Sequence, residues 1–93
     1  KDIVVVFGAG GDRDKDKRPK MGLAAARYAK KIYITSDKPR SEDPKQIIED
    51  IASAIEGKKN VKKIVDRKEA IFKAVEELDN NEVLLILILQ PES

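Results

Sequence analysis

The sequence predicts an α/β fold of Rossmann-like, three-layer character: a four-stranded, mostly parallel sheet with three helices in the order βαβαβαβ. Two observations predict it. Four short apolar runs alternate with three segments of helical period, the signature of a parallel sheet covered by helices. The runs are β-branched and continuously apolar, which fits strands covered on both faces better than strands with one wet face. At 93 residues the chain suits a single domain spanning 1–93.

The first strand is expected over Ile3 to Phe7, "IVVVF". A helix follows from about Pro19, because Met21, Ala24, Ala25, Tyr28 and Ala29 recur at the spacing of one helical face. Pro19 suits its first turn, where a missing N–H has no helical partner to lose. The second strand is expected over Ile32 to Thr35. Asp43 reads as the N-cap of the second helix, with Pro44 at its first position and Gln46 at capping-box spacing. Its apolar stripe is Ile47, Ile48, Ile51 and Ile55, and Gly57 reads as a left-handed C-cap. Lys62 to Val65 form the third strand. Asp66 and Glu69 repeat the capping box before a third helix, whose face is Ala70, Ile71, Ala74, Val75 and Leu78. "DNNE" at 79–82 turns the chain into a last strand over Val83 to Leu89. Right-handed crossovers then build a parallel sheet whose ligands lie beyond the strand carboxyl ends.

Composition narrows the functions. Lysine and arginine number 19 against 17 aspartate and glutamate, a net charge of +2, so no uniformly basic nucleic-acid surface is expected. There is no cysteine and no histidine, which removes disulfides, Cys-His and Ser-His catalysis, and ordinary zinc sites. The longest apolar run, Val83 to Leu89, is far short of the roughly 20 residues of a membrane-spanning helix. "KDIVVVFG" lacks the form of a signal peptide. A soluble cytoplasmic protein is expected, with no metal site, and the non-methionine start reads as a processed, excised or engineered piece.

Two loops carry the available chemistry, both after carboxyl ends of strands and therefore on one rim. In "FGAGGDRDKDKRPKMG", residues 7–22, Gly10 and Gly11 allow close backbone approach, Lys17 and Arg18 add positive charge, and the helix dipole favours an anion. Arg13 stands where a dinucleotide-binding fingerprint would place its last glycine, so a plain solvated turn stays open beside an anion-binding loop. In "SDKPRSEDP", residues 36–44, Asp37 can accept hydrogen bonds, Lys38 adds charge, and Arg40 can hold a carboxylate bidentately. The plain alternative pairs Arg40 with Glu42. The run "GKKNVKK" at 57–63 reads as a solvated edge.

Together, "GGDRDK-KRP-MG" and "SD-PRSEDP" resemble the C-terminal domain of the Mur ligases, within them the branch adding the third amino acid to UDP-N-acetylmuramoyl-dipeptide. The similarity runs from about Ile3 to Arg67 and more loosely to Val83. It implies that Arg13 contacts the incoming diamino acid, and that Asp37, Lys38, Pro39 and Arg40 form the specificity loop, with Arg40 reading the side-chain carboxylate of meso-diaminopimelate. Lys38 stands where the family usually has Asn, which leaves meso-diaminopimelate and lysine both open. The resemblance also implies that the domain's usual first strand and helix are missing. Its usual Gly-Lys-Gly-His-Glu ending is replaced by Ile88, Leu89, Gln90, Pro91 and Glu92, of which only Glu92 matches.

ATP and magnesium serve the full-length family, but this chain has no G-x-x-x-x-G-K-[ST] loop. The chain alone is therefore expected to bind no cofactor and catalyse nothing, leaving amino-acid binding, in concert with the ligase central domain, as the inherited role. Two alternatives stay open: an engineered or folding-model scaffold without a ligand, and a small nucleotide- or anion-binding module. A sheet edge near Val83 to Leu89 is expected to favour a homodimer.

Overall fold

Seven elements follow one another in the computed structural model, which describes residues 1–11, 15–57 and 60–87. They are β1 (Asp2–Ala9), α1 (Lys17–Tyr28), β2 (Ala29–Ser36), α2 (Pro44–Ala52), β3 (Asn60–Lys63), α3 (Arg67–Glu76) and β4 (Glu82–Ile86). The sheet order is β3-β2-β1-β4, with every pairing parallel. The chain steps from β1 through β2 to β3 and then returns across the sheet to β4. A single crossover hand requires the return helix to lie on the opposite face, and it does. α1 and α2 cover one face over Val5, Phe7, Ile32 and Ile34, with Ile47, Ile48, Ile51 and Ile55 filling the layer. α3 covers the other face, where Ala70 and Ala74 meet Val4, Val6 and Tyr33. β1 and β2 are thus buried on both sides, as their unbroken apolar runs predict.

Several boundaries and faces differ from the sequence reading. In α1, Tyr28 is 73% exposed and Ala24 is exposed too, while Arg18 and Gly22 are buried. The helix is rotated so that small residues, not its largest ones, meet the neighbouring layer, with Met21, Ala25 and Ala26 packed at the margin. Pro19 is the third helical residue, still within the first turn. Asp43 caps α2, accepting from the Lys45 N–H. Gln46 does not complete a capping box; its side chain donates to Asp50 Oδ1 at 2.9 Å. Gly57 has the left-handed φ of 77°, but α2 ends at Ala52 and a turn intervenes. At α3, Asp66 caps the N–H groups of Lys68 and Glu69.

The two edges are unlike each other. β3 lies earlier than expected because Val61 pairs with Ile32 and packs against the α2 layer, placing Lys62 opposite Tyr33 and Lys63 opposite Ile34. Lys63 pairs with Glu49 and Glu56, and Lys62 with Glu77, so this edge carries charge. β4 is not buried on both faces: Val83, Leu85 and Ile86, and Leu87 just after it, are each 40–44% exposed. Its α1/α2 side lies beyond the helices' reach, since those pack over β1 and β2. Ile88, Leu89, Gln90 and Glu92 lie outside the described residues.

Beneath the end of α3, the buried Tyr33 hydroxyl donates to Glu77, whose carboxylate also accepts from Lys62 at 2.8 and 2.9 Å. Burial, reinforced by that hydrogen bond, pushes the phenol above its ordinary value of 10. The Lys62 ammonium, then the Tyr33 hydroxyl, hold Glu77 down at about 2. The raised Tyr33 value means stability that is complete below pH 10 and lost as pH climbs through the folded value. The depressed Glu77 value means stability present above the unfolded carboxylate range and lost as pH falls towards about 2. In a Tyr28→Phe variant, phenolate absorbance should therefore rise only well above pH 10; a midpoint at the free-tyrosine value would contradict the Tyr33–Glu77 contact.

Candidate functional site

β1 stands where strand order reverses direction, with β2 on one side and β4 on the other, the position where open α/β sheets bind ligands. The glycine loop leaves β1 there and the 36–44 loop leaves β2 beside it. The Gly11 N–H donates to the Lys38 carbonyl at 3.0 Å. This contact is so close that a Cβ on Gly11 would stand 1.7 Å from the Pro39 carbonyl oxygen. Only glycine allows that approach, and the room it leaves is filled by the neighbouring loop's backbone.

The second loop has an uncommon backbone. Lys38 and Arg40 have φ of 49° and 56°, the left-handed region that side chains other than Asn, Asp and Gly enter rarely. Pro39 lies between them, and its carbonyl accepts from the Glu42 N–H at 3.0 Å. Both Lys38 and Arg40 are exposed on the rim. Asp37 is only 19% exposed at its side chain, and the Arg67 guanidinium lies 3.6 Å from its carboxylate. Thr35 and Ser36 join the same region to β3, since both donate to the Val65 carbonyl.

Arg18 behaves unlike a residue of an open anion loop. It is 1% exposed. Nη1 donates to Glu42 Oε1 at 3.0 Å and Asp50 Oδ2 at 2.9 Å, and Nη2 to Glu42 Oε2 at 2.9 Å and the Gly10 carbonyl at 3.3 Å. The hydrogen bond to Glu42, the largest influence, raises its pKa further against the opposing effect of burial. Its charge is committed to two carboxylates, so the Arg18 expected at an anion faces the protein interior instead. Glu42 pairs with Arg18, not with Arg40.

The structure therefore brings Gly10, Gly11, Asp37, Lys38 and Arg40 to one rim, while Arg18 lies beneath it. Lys17 opens α1 with its side chain exposed. Arg13 lies outside the described residues. The sequence reading overlooked Arg67, Asp50 and the pairing of Glu42 with Arg18. Arg67 carried a usable signal: it follows the cap Asp66 at the carboxyl end of β3, next to a strand whose loop begins with an aspartate needing a cation.

Relatives of the chain can be set against this geometry. The family described as Mur ligase, glutamate ligase domain, matches residues 1–87. The chain belongs to the Mur ligase family. It is 62% identical over 85 residues to the UDP-N-acetylmuramoyl-L-alanyl-D-glutamate--2,6-diaminopimelate ligase of Helicobacter hepaticus, covering 91% of this chain and 18% of that protein. It is also 62% identical over 86 residues to the ligase of the same name from Wolinella succinogenes, covering 92% of this chain and 20% of that one. A solved structure of a ligase bearing this name superposes with a TM-score of 0.85 at 41% identity, over 91% of this chain and 18% of the other. That likeness agrees with the expected Mur ligase C-terminal fold of four parallel strands and three helices. The chain spans about a fifth or less of these relatives' length.

Among the described residues, the rim offers no set that fits ATP and magnesium, which the Mur ligase family implies. The gap at Gly11 holds Pro39, Arg18 is neutralised by Glu42 and Asp50, and among the described residues no cluster of three or more His, Cys, Asp or Glu side chains could hold a metal ion. Among the described residues, no helix is long and apolar enough to cross a membrane.

Proposed function

We propose that this chain is the part of a Mur ligase C-terminal domain that binds the incoming diamino acid and that it catalyses nothing by itself. The observation that carries this reading is the docking of the Asp37–Arg40 loop on the glycine loop at the sheet's switch point, which leaves Arg40 and Lys38 on the rim. Arg40 and Arg13 supply guanidinium groups for two carboxylates, and Arg is the side chain whose fork matches a carboxylate. Asp37 offers an acceptor for an ammonium group, Lys38 and Lys17 add positive charge to the border, and Gly10 lets the backbone come close. The relatives' names contain 2,6-diaminopimelate, which supports meso-diaminopimelate over lysine. Activation of the acyl group by ATP belongs, in this reading, to the central domain of the complete cytoplasmic ligase.

Titration calorimetry tests it. The chain should bind meso-diaminopimelate, and Arg40→Ala should weaken that binding by about 10- to 100-fold, the loss of one or two charged hydrogen bonds. Lysine, lacking the second carboxylate, should bind equally to both forms. Absence of binding by either amino acid would remove the proposal.

A ligand-free scaffold is the second reading, favoured by Gly11 and Arg18 serving internal contacts. The same internal contacts argue against a free-standing nucleotide module. The exposed edge also bears on partners: β4 presents Val83 to Leu87 without a charge or proline, the features that ordinarily block strand addition, whereas β3 carries Lys62 and Lys63. Pairing of β4 with β4 of a second copy would make a homodimer. Sedimentation should show dimer growing with concentration, and monomer alone at high concentration would exclude it.

A further inference from the structure

The backbone of the Asp37–Arg40 loop is held by its surroundings. Left-handed conformations at Lys38 and Arg40 persist only where neighbouring contacts over-determine them. At the start of the loop, Asp37 is paired with Arg67 at 3.6 Å. In the middle, the Lys38 carbonyl accepts from Gly11. At the far end stands the most deeply buried of these groups. Arg18 grips both oxygens of Glu42, one oxygen of Asp50 on α2, and the Gly10 carbonyl at the end of β1. These partners are 24, 32 and 8 residues away in sequence.

We infer that Arg18 is a positioning residue, a clamp that locks the Asp37–Arg40 loop against Gly10 and Gly11 before any ligand arrives. It rests on the reading that this rim binds an amino acid. Its physical basis is geometric. A guanidinium is planar, and its nitrogens can meet Glu42, Asp50 and Gly10 together; an ammonium at the end of a flexible stem has no such fork. The two carboxylates give it a balanced setting, because Lys15 Nζ, 3.8 Å from Glu42 Oε1, supplies a second positive charge. Buried ion pairs contribute little net stability against apolar replacements, and their best-attested use is to select one arrangement among several. Here the arrangement selected is the relative position of two loops, one of them in an uncommon conformation. Pre-set loops bind more tightly because less ordering remains to be done on association.

Amide hydrogen exchange of the whole chain reads the clamp without any ligand. In Arg18→Lys, the Gly11 N–H, bonded to Lys38, and the Glu42 N–H, bonded to Pro39, should exchange faster by about tenfold or more. The ladder amides of β1 and β2 should change only as far as overall stability does. Loop amides that are unchanged, or that accelerate only in step with the ladder, would overturn the inference. If Arg18→Lys does not fold, the variant Arg18→Met/Glu42→Gln/Asp50→Asn, which leaves no buried charge unpaired, gives the same readout. Failure of that variant to fold would also overturn it, since the role would then be general to folding. Calorimetry with meso-diaminopimelate on the unaltered chain is separate: a null result there removes the amino-acid reading and leaves the exchange result standing.

Discussion

Arg18→Met is expected to destabilise the protein by about 3 kcal/mol, because it removes the buried guanidinium that Glu42 and Asp50 share. The effect should sit at the lower end of the range for broken buried pairs, since the Asp50 side chain keeps 26% of its exposure and Lys15 lies near Glu42. A domain of this size holds about 5–10 kcal/mol in all. The urea midpoint should therefore fall by about 2 M, given a slope near the bottom of the usual range. Adding Glu42→Gln and Asp50→Asn should recover most of that loss, because amides can share hydrogen bonds without a net charge to neutralise. A loss below about 0.5 kcal/mol, the size of ordinary surface substitutions, would mean that the guanidinium is solvated in solution.

How far this could be foreseen differs between fold and rim. The alternation of apolar runs with capped helices was legible because Asp43 and Asp66 do locally what their side chains do best, accepting from free N–H groups at helix starts. The two loops could be placed on one rim because parallel strands all end on the same side. The face of α1 was legible only in part: Met21 and Ala25 do pack against the core, but its buried positions are Gly22 and Arg18, neither of which counts in a hydrophobic pattern. The burial of Arg18 was hidden for the same reason: an arginine among lysines and aspartates looks solvated until two carboxylates 24 and 32 residues away are brought to it. β4 was overestimated because an apolar run tells how well a strand could be covered, and only strand order tells whether a helix reaches it.

Two alanine substitutions should separate what the glycines do for stability from what they do for binding. A Cβ on Gly22 would stand 2.3 Å from the Ile51 carbonyl oxygen, across the contact between α1 and α2. Neither helix can yield without disturbing the isoleucine layer between them and the sheet, so Gly22→Ala should cost about 1–3 kcal/mol, typical of overpacking, despite alanine's better helix propensity. It should weaken meso-diaminopimelate binding less than Gly11→Ala does, since the obstructed contact lies between the helices and not on the rim. Gly11→Ala faces a closer obstacle, 1.7 Å from the Pro39 carbonyl oxygen, but its neighbour is a single rim loop, held at its ends by Arg67 and Arg18, whose displacement leaves the isoleucine layer in place. Its stability loss should therefore be the smaller of the two, while binding should fall by about tenfold or more as the Gly11–Lys38 hydrogen bond parts and Arg40 leaves its place. Thermal unfolding and calorimetry on the two variants should show opposite rankings; the same ranking in both would mean that the glycine loop does not set the position of the Asp37–Arg40 loop.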